Sequence, residues 1–306
     1  MSVFTRKSKS NLIRISGSDR AFYTVNNLIL LLAFILVAYP IIYVFAASFS
    51  DKNAVVTGKV ILWPVNFSLE GFAAVFSYRA IMTGYANTIF YTTVGTLINV
   101  SMTMLAAYPL SRKGDMPGRN LFMYLFTFTM MFGGGLIPTY IMMQNLGFID
   151  HRVVLLVPNA MGVFHLIIAR TFLTTTIPSE LYEAASIDGC SHVNYFVKIL
   201  LPLSKPLLAV LVLFYAVGHW NAFFDAFIYL KSPKLYPLQL VLRDILIVNT
   251  IDASAITDPV TQEKKQGMAE LLKYAIIVAA SVPVWCLYPF IQKYFVKGVM
   301  IGAVKG

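Results

Sequence analysis

Charge is scarce in this sequence. Only 12% of the 306 residues are Asp, Glu, Lys or Arg, while 58% are hydrophobic. A soluble chain carries about twice that charge, so an ordinary soluble globule is excluded. Cysteine is almost missing: Cys190 falls in a polar loop and Cys286 in an apolar run, which leaves no disulfide framework. The four histidines (His151, His165, His192, His219) have no metal-ligand spacing. No G-x-x-x-x-G-K-[ST] phosphate loop occurs, since Gly58-Lys59 lacks the rest of the pattern. The chain therefore does not hold ATP by that route, and energy for work must come from another protein or an ion gradient. A membrane-embedded enzyme needs His, Asp or Glu clustered at one depth, and that too is absent. No long repeat, low-complexity tract or second soluble domain is visible.

What the sequence has instead is long uncharged runs. Arg20 to Asp51 encloses 30 uncharged residues, Arg79 to Arg112 encloses 32 and Arg119 to Asp150 encloses 30. Arg152 to Arg170 encloses 17, and Lys205 to Asp225 and Lys273 to Lys293 enclose 19 each. A spanning helix needs roughly 17–25 mostly apolar residues. The runs predict an all-α integral membrane protein with six transmembrane helices near 24–48, 85–110, 120–143, 153–174, 206–230 and 273–295. Residues 1–20 read as a cytoplasmic tail and 21–306 as the transmembrane domain. The first run is too long for the core of a cleavable signal peptide, so it is expected to remain as an anchor.

The net charge of +10 follows this topology. Segments 1–20, 111–120, 170–205 and the tail from 293 hold 14 Lys/Arg and 5 Asp/Glu, or +9; the remainder holds 10 and 9, or +1. Such sorting orients a chain in lipid with both termini cytoplasmic, and needs no nucleic-acid partner. Helix breakers interrupt the runs. Pro40, Pro109, Pro158 and Pro283 sit within spans one, two, four and six, and Gly133-Gly134-Gly135-Leu136-Ile137-Pro138 interrupts span three. The triple glycine permits either close helix packing or a bend along a pathway. The two long outer loops, 49–84 and 231–272, are either solvated connectors or docking sites for an extracellular partner.

The segment 178–203 is too elaborate for a connector. Pro178 suits the first turn of a helix. Residues 179–188 suit a short helix with Glu180 and Glu183 toward its N-terminus. Gly189 reads as a left-handed stop and Ser191 as the cap of a second helix, which carries Val193, Tyr195, Phe196 and Ile199 as apolar contacts. Pro202 is expected to end that helix before span five. The small Ala184 and Ala185 would let the first helix enter a groove on another protein.

The pattern Glu183-Ala184-Ala185, Gly189, Ile199, Leu201 and Pro202, with Asp188 beside the glycine, matches the EAA motif of ABC importer permeases. The chain as a whole resembles a MalG-type (MetI-like) carbohydrate permease, and within that family the branch of LplC and YtcP. Residues 133–140, 218–225 and 297–306 carry the finer likeness. The resemblance implies a second, different permease subunit, two ATPase subunits that bind ATP and Mg, an extracellular solute-binding lipoprotein and a sugar substrate, in the bacterial cytoplasmic membrane. It also implies that the EAA loop forms coupling helices seated in a cleft of the ATPase, and that this chain is not itself an enzyme.

For solute contact, span five stands out. Asp225 is an ionisable residue in an apolar segment, where such residues usually face a bundle interior. Trp220, Phe224 and Asp225 would share a helix face and Asn221 lies beside them; rings suit the C–H faces of a sugar, and amide or carboxylate its hydroxyls. The bland reading makes Trp220 an interfacial anchor and Asp225 a residue near the outer surface. Asn87 and Tyr91 in span two and Tyr140 in span three are further candidates. The rival class, an ion-coupled secondary transporter, calls for intramembrane acid or cation relays and related halves, of which only Asp225 is present.

Overall fold

The computed structural model describes residues 16–112, 114, 116–254 and 270–286, with residues 247–254 as backbone only. Most of the N-terminal tail, the segment with Asp258, Glu263, Lys264 and Lys265, the end of the sixth expected span and the 297–306 motif lie outside these residues. Every regular element described is helical.

Among the described residues, two helices are long and apolar enough to cross a membrane singly: α1 (Gly17–Ser48) and α4 (Arg79–Ser111). Pro40 lies inside α1 without ending it. Only Ala46, Ala47 and Ser48 of α1 are buried, so nearly the whole helix stands clear of the other described residues. Between α1 and α4, the helices α2 (Lys52–Val56) and α3 (Glu70–Ser77) fold back over the end of the bundle. Ser50 holds this turn: its hydroxyl donates to the Ala46 carbonyl at 2.6 Å and accepts from the Val65 amide at 3.0 Å.

α4 is the axis of the fold. At about 1.5 Å per residue its 33 residues span roughly 50 Å. Its seam is polar where a soluble core would be aliphatic: Thr88, Thr96, Asn99 and Thr103 are buried, at steps of three, four or eight residues that keep them on one face. Small and polar residues suit helix contacts in lipid, where apolar surface gains nothing by leaving an equally apolar solvent. Gly95 allows the closest approach, since a Cβ there would meet the His219 ring.

The other expected spans are broken. Span three is α5 (Arg119–Met131) and α6 (Leu136–Asn145), bent by 113°. Gly135 has φ +83°, and none of Gly133, Gly134 and Gly135 has a neighbour within 4 Å of its Cβ position. Within the chain these glycines bend the backbone; they do not admit a close-packed helix. Span four is α7 (Val153–Leu156) and α8 (Val163–Thr176), separated by residues 157–162. Pro158 has no N–H to give, and the exposed backbone is satisfied by side chains: Asn99 donates to the Asn159 carbonyl at 2.5 Å, and the Gly162 amide donates to the Tyr215 hydroxyl at 3.1 Å.

After α8 come α9 (Glu180–Ile187), α10 (His192–Tyr195), a π-helical turn (Phe196–Leu200) and α11 (Leu201–Leu203). Span five is α12 (Lys205–Asn221) and α13 (Phe224–Tyr229), broken at Ala222-Phe223 where Ala222 is extended, a break that no Pro or Gly announces. The 231–272 segment is no plain solvated connector in its first half. A 3-10 turn (Pro233–Leu235) leads into α14 (Leu238–Ser254), whose Leu238, Val241, Leu242 and Ile245 pack with Ile81, Trp220 and Ile276. The last described element, α15, covers residues 270–286.

Candidate functional site

At the C-terminal end of α4, the segment 178–203 folds into a compact elbow. Gly189 has φ +76°, and the turn after α9 closes with the Gly189 amide on the Ser186 carbonyl and the Cys190 amide on the Ala185 carbonyl, the paired bonds of a Schellman stop. The Ser191 hydroxyl accepts from the Asn194 amide and caps α10. The helix that Ser191 caps runs unbroken from His192 to Leu203, so it ends one residue after Pro202, before span five as expected, and the chain bends by 81° at Ser204.

Aromatic rings bind the elbow to α4. The Arg112 guanidinium lies 3.1 Å from the Tyr182 ring centre and 5.8 Å from that of Tyr108. Tyr182 meets Tyr195 edge-on at 5.1 Å and stacks on His192 at 5.4 Å, and Tyr108 stacks on Tyr195 at 6.1 Å. His192 lies 3.3 Å from the Tyr108 and Tyr182 hydroxyls. Burial pushes the Tyr195 phenol above its usual pKa, with Arg112 opposing and Tyr182 adding to the rise. Arg170 completes the joint by donating to the Leu110 carbonyl at 3.1 Å. No sequence motif marked Arg112, Tyr182 or Arg170.

The motif residues divide by face. Glu183, Ala184, Asp188, Gly189 and Pro202 are exposed, Ile199 and Leu201 are half-buried, and Ala185 is buried at 9% exposure among Tyr195, Leu200 and Leu173. Ala185 thus packs within its own chain, while Ala184 lies on the exposed face. The outer face also carries Ile187 at 86% exposure and Val193 at 72%, two aliphatic side chains with no cover among the described residues.

A polar network lies midway along α4. His219 Nε2 is 2.6 Å from Asn99 Oδ1, Asn99 reaches the Asn159 carbonyl, and the Asn159 amide donates to Asp225 at 3.0 Å. Thr103 and Tyr215 share a hydrogen bond at 2.8 Å. The network therefore ties α4 to broken spans four and five, and it borders a cavity of about 280 Å3 lined by Tyr91, Asn159, His165, His219 and Asp225 among others.

The break at Ala222-Phe223 overturns the single solute-facing surface expected of span five. Trp220 turns into the core, 6% exposed, and its indole N–H donates to the Ala280 carbonyl at 3.1 Å. It is neither an interfacial anchor nor a neighbour of Asp225. Asn221 donates to the Val217 carbonyl and Phe224 is 51% exposed. Trp220, Asn221 and Phe223 line a second cavity of about 580 Å3, away from Asp225. Asn87 is structural: its amide donates to the Lys234 and Tyr236 carbonyls and accepts from Arg152 at 3.0 Å. Tyr91 likewise donates to the Leu235 carbonyl, and Tyr140 stacks on Tyr229 at 6.0 Å.

Asp150, with φ +60°, is a hub that no sequence signal marked. Its carboxylate accepts from the Lys231 and Ser232 amides and from the Ser232 hydroxyl at 2.6–2.9 Å. These bonds, the Ser232 hydroxyl first, hold its pKa below the usual carboxylate value. Among the described residues no group of His, Cys, Asp or Glu could hold a metal ion.

An apolar helical bundle whose spans are broken around a polar interior, with a rigid polar elbow at one end of its axis, has the construction of a membrane transport subunit. No family model matches the chain. It is 40% identical over 277 residues to the polygalacturonan/rhamnogalacturonan transport system permease protein YtcP of Bacillus subtilis, covering 90% of this chain and 96% of that one. It is 40% identical over 267 residues to the protein LplC of the same organism, covering 87% and 89%. Among solved structures, a bacterial ABC transporter involved in the import of the acidic polysaccharide alginate matches with a TM-score of 0.83 at 34% identity, covering 92% of this chain and 98% of that one. The protein belongs to the permease family of carbohydrate ABC importers.

Proposed function

We propose that this protein is one of two different permease subunits of an importer that carries an oligosaccharide, of the acidic, uronate-containing class, across the bacterial cytoplasmic membrane. Six spans with both termini cytoplasmic place the elbow on the inner side. Two ATPase subunits, which bind ATP and Mg, grip α9 and α10, and an extracellular solute-binding lipoprotein delivers the sugar at the opposite end. This chain does no covalent chemistry. Closure of the ATPase pair moves the elbow, and α8 and α12, which leave it directly, carry that motion to the breaks at 157–162 and 222–223. There the bundle opens outward to receive the sugar; hydrolysis resets it. The acidic class is supported by the polygalacturonan/rhamnogalacturonan system and the alginate importer to which the chain is similar.

The observation that carries this reading is the elbow, capped internally and riveted to α4 while Ile187 and Val193 project with no cover among the described residues. A segment that only reconnected two spans would gain nothing from exposing them. The test is uptake of labelled trigalacturonate by the reconstituted complex in proteoliposomes. Uptake should require ATP on the elbow side and persist when proton and sodium gradients are collapsed. Uptake driven by an ion gradient with the ATPase omitted would assign the chain to secondary transport.

A further inference from the structure

The larger cavity lies between the end of α12, α14 and α15. It sits at the N-terminal end of α4, where Leu238, Val241 and Ile245 of α14 pack near Ile81, whereas the elbow packs at Tyr108 and Arg112. The two are therefore at opposite ends of a helix roughly 50 Å long. Solute enters an importer at the end away from its motor. At about 580 Å3 the cavity falls within the roughly 300–1,000 Å3 of small-ligand sites.

Its walls have a defined chemistry. Gln239 and Arg243 stand one turn apart on α14, beside Leu242 and Leu246, which also line the cavity. Asn221 faces them from α12, and Phe223 and Trp285 are 42% and 45% exposed at the cavity. The Arg243 guanidinium is held in position by the Phe227 ring, 4.2 Å below it. Stacking occupies a flat face of the guanidinium and leaves its N–H edge for an in-plane carboxylate. Its ion pair with the adjacent Asp244 is long, at 3.6 Å, and both side chains are about a third or more exposed, so water screens it strongly. The smaller cavity, on the other side of the α12–α13 break, carries the Asp225 carboxylate and would repel an anionic ring.

We infer that the cavity walled by Asn221, Phe223, Gln239, Arg243 and Trp285 is a uronate subsite, in which Arg243 pairs with a sugar carboxylate, the rings lie against the sugar's C–H faces and the amides bond its hydroxyls. The assignment rests on the importer reading above and names the residue that selects the acidic substrate.

Equilibrium dialysis of the detergent-purified transporter complex, without the binding protein, tests it with two probes: trigalacturonate and its neutral trimethyl ester. The wild type should bind the acid more tightly than the ester. Arg243→Gln should weaken the acid about tenfold and leave the ester unchanged, and Arg243→Lys should recover part of the loss. Equal binding of the acid by wild type and Arg243→Gln overturns the assignment, and so does an equal loss for acid and ester, which would mark Arg243 as structural. ATP-dependent uptake is scored on the same preparations. An unaltered complex that imports sugar with ATP but shows no acid-specific loss in Arg243→Gln sinks the subsite and leaves the importer standing.

Discussion

The two ends of α4 are built on different principles. The elbow end is held by rings: helix stops and caps are satisfied within ten residues, and rings from α4, α9 and α10 interlock around Arg112, beside a groove of about 520 Å3 lined by Tyr108, Tyr182 and Tyr195. Beyond the midpoint the helices are interrupted, their loose backbone is met by single hydrogen bonds from Asn99 and Tyr215, and two cavities lie between them. A lever has to be stiff where force is applied and compliant where the load moves. Aromatic packing supplies the first, because rings have few rotamers and large contact area. Broken helices tied by side chains supply the second, because each tie can be exchanged for another at a net cost of only about 1 kcal/mol.

The sharpest way to break this contrast is at the stiff end. Gly189→Val places a β-branched residue at φ +76°, a strain of about 1–2 kcal/mol that no surrounding atom relieves. Sugar uptake should fall by roughly tenfold or more and ATPase co-purification should weaken, while membrane insertion is kept; normal uptake would count heavily against the elbow's role. Tyr182→Ala removes the ring under Arg112 without touching the outer face of α9. Uptake should fall by about tenfold with ATPase binding retained, and Tyr182→Phe should restore most of it, since the ring carries the contact. If both Tyr182 variants transport normally, the rivet is not what conveys motion.

Smaller effects lie along the axis and at its far end. Gly95→Ala forces a Cβ against the His219 ring and should destabilise the detergent-solubilised protein by about 1–3 kcal/mol in thermal unfolding. Asn159→Ala, which unties α13 from the α7–α8 break, should cost only about 1 kcal/mol. A loss as large as that from Gly95→Ala would mean the far end is as rigid as the elbow. Asp150 gives the mildest prediction and a pH window. Its folded pKa lies below the unfolded value of about 3.9, so its stabilisation is fully present above that value and is lost only as pH falls through the lower, folded one. Hydrogen exchange over 229–236 should therefore stay slow in the wild type down to about pH 4, and be fast in Asp150→Ala even at pH 7.

The elbow was readable because its signals are local. Gly189 and Ser191 act on their own or adjacent backbone, and each stands where its chemistry is used; Pro178 lies two residues before α9 and not in its first turn. The substrate candidates were read less well for the opposite reason. Trp220, Asn87 and Tyr140 were singled out as polar or aromatic residues in apolar runs, and all three prove to be packed or bonded to distant segments. The break at Ala222-Phe223, which separates Trp220 from Asp225, carries no local punctuation. Arg243 was passed over because it sits in a segment that looked like loop.

Hydrophobic run length and the sorting of charge by themselves determined that this chain is helical and membrane-embedded, because those properties follow from residue chemistry summed along the chain. Which side of a helix faces a cavity, where spans break and which glycine admits a ring depend on partners 60 to 150 residues away, such as Asn99 with Asn159 and Thr88 with Leu238. Only the tertiary structure decided those, because a hydrogen bond or a van der Waals clash acts over a few ångströms of space, whatever the separation along the chain.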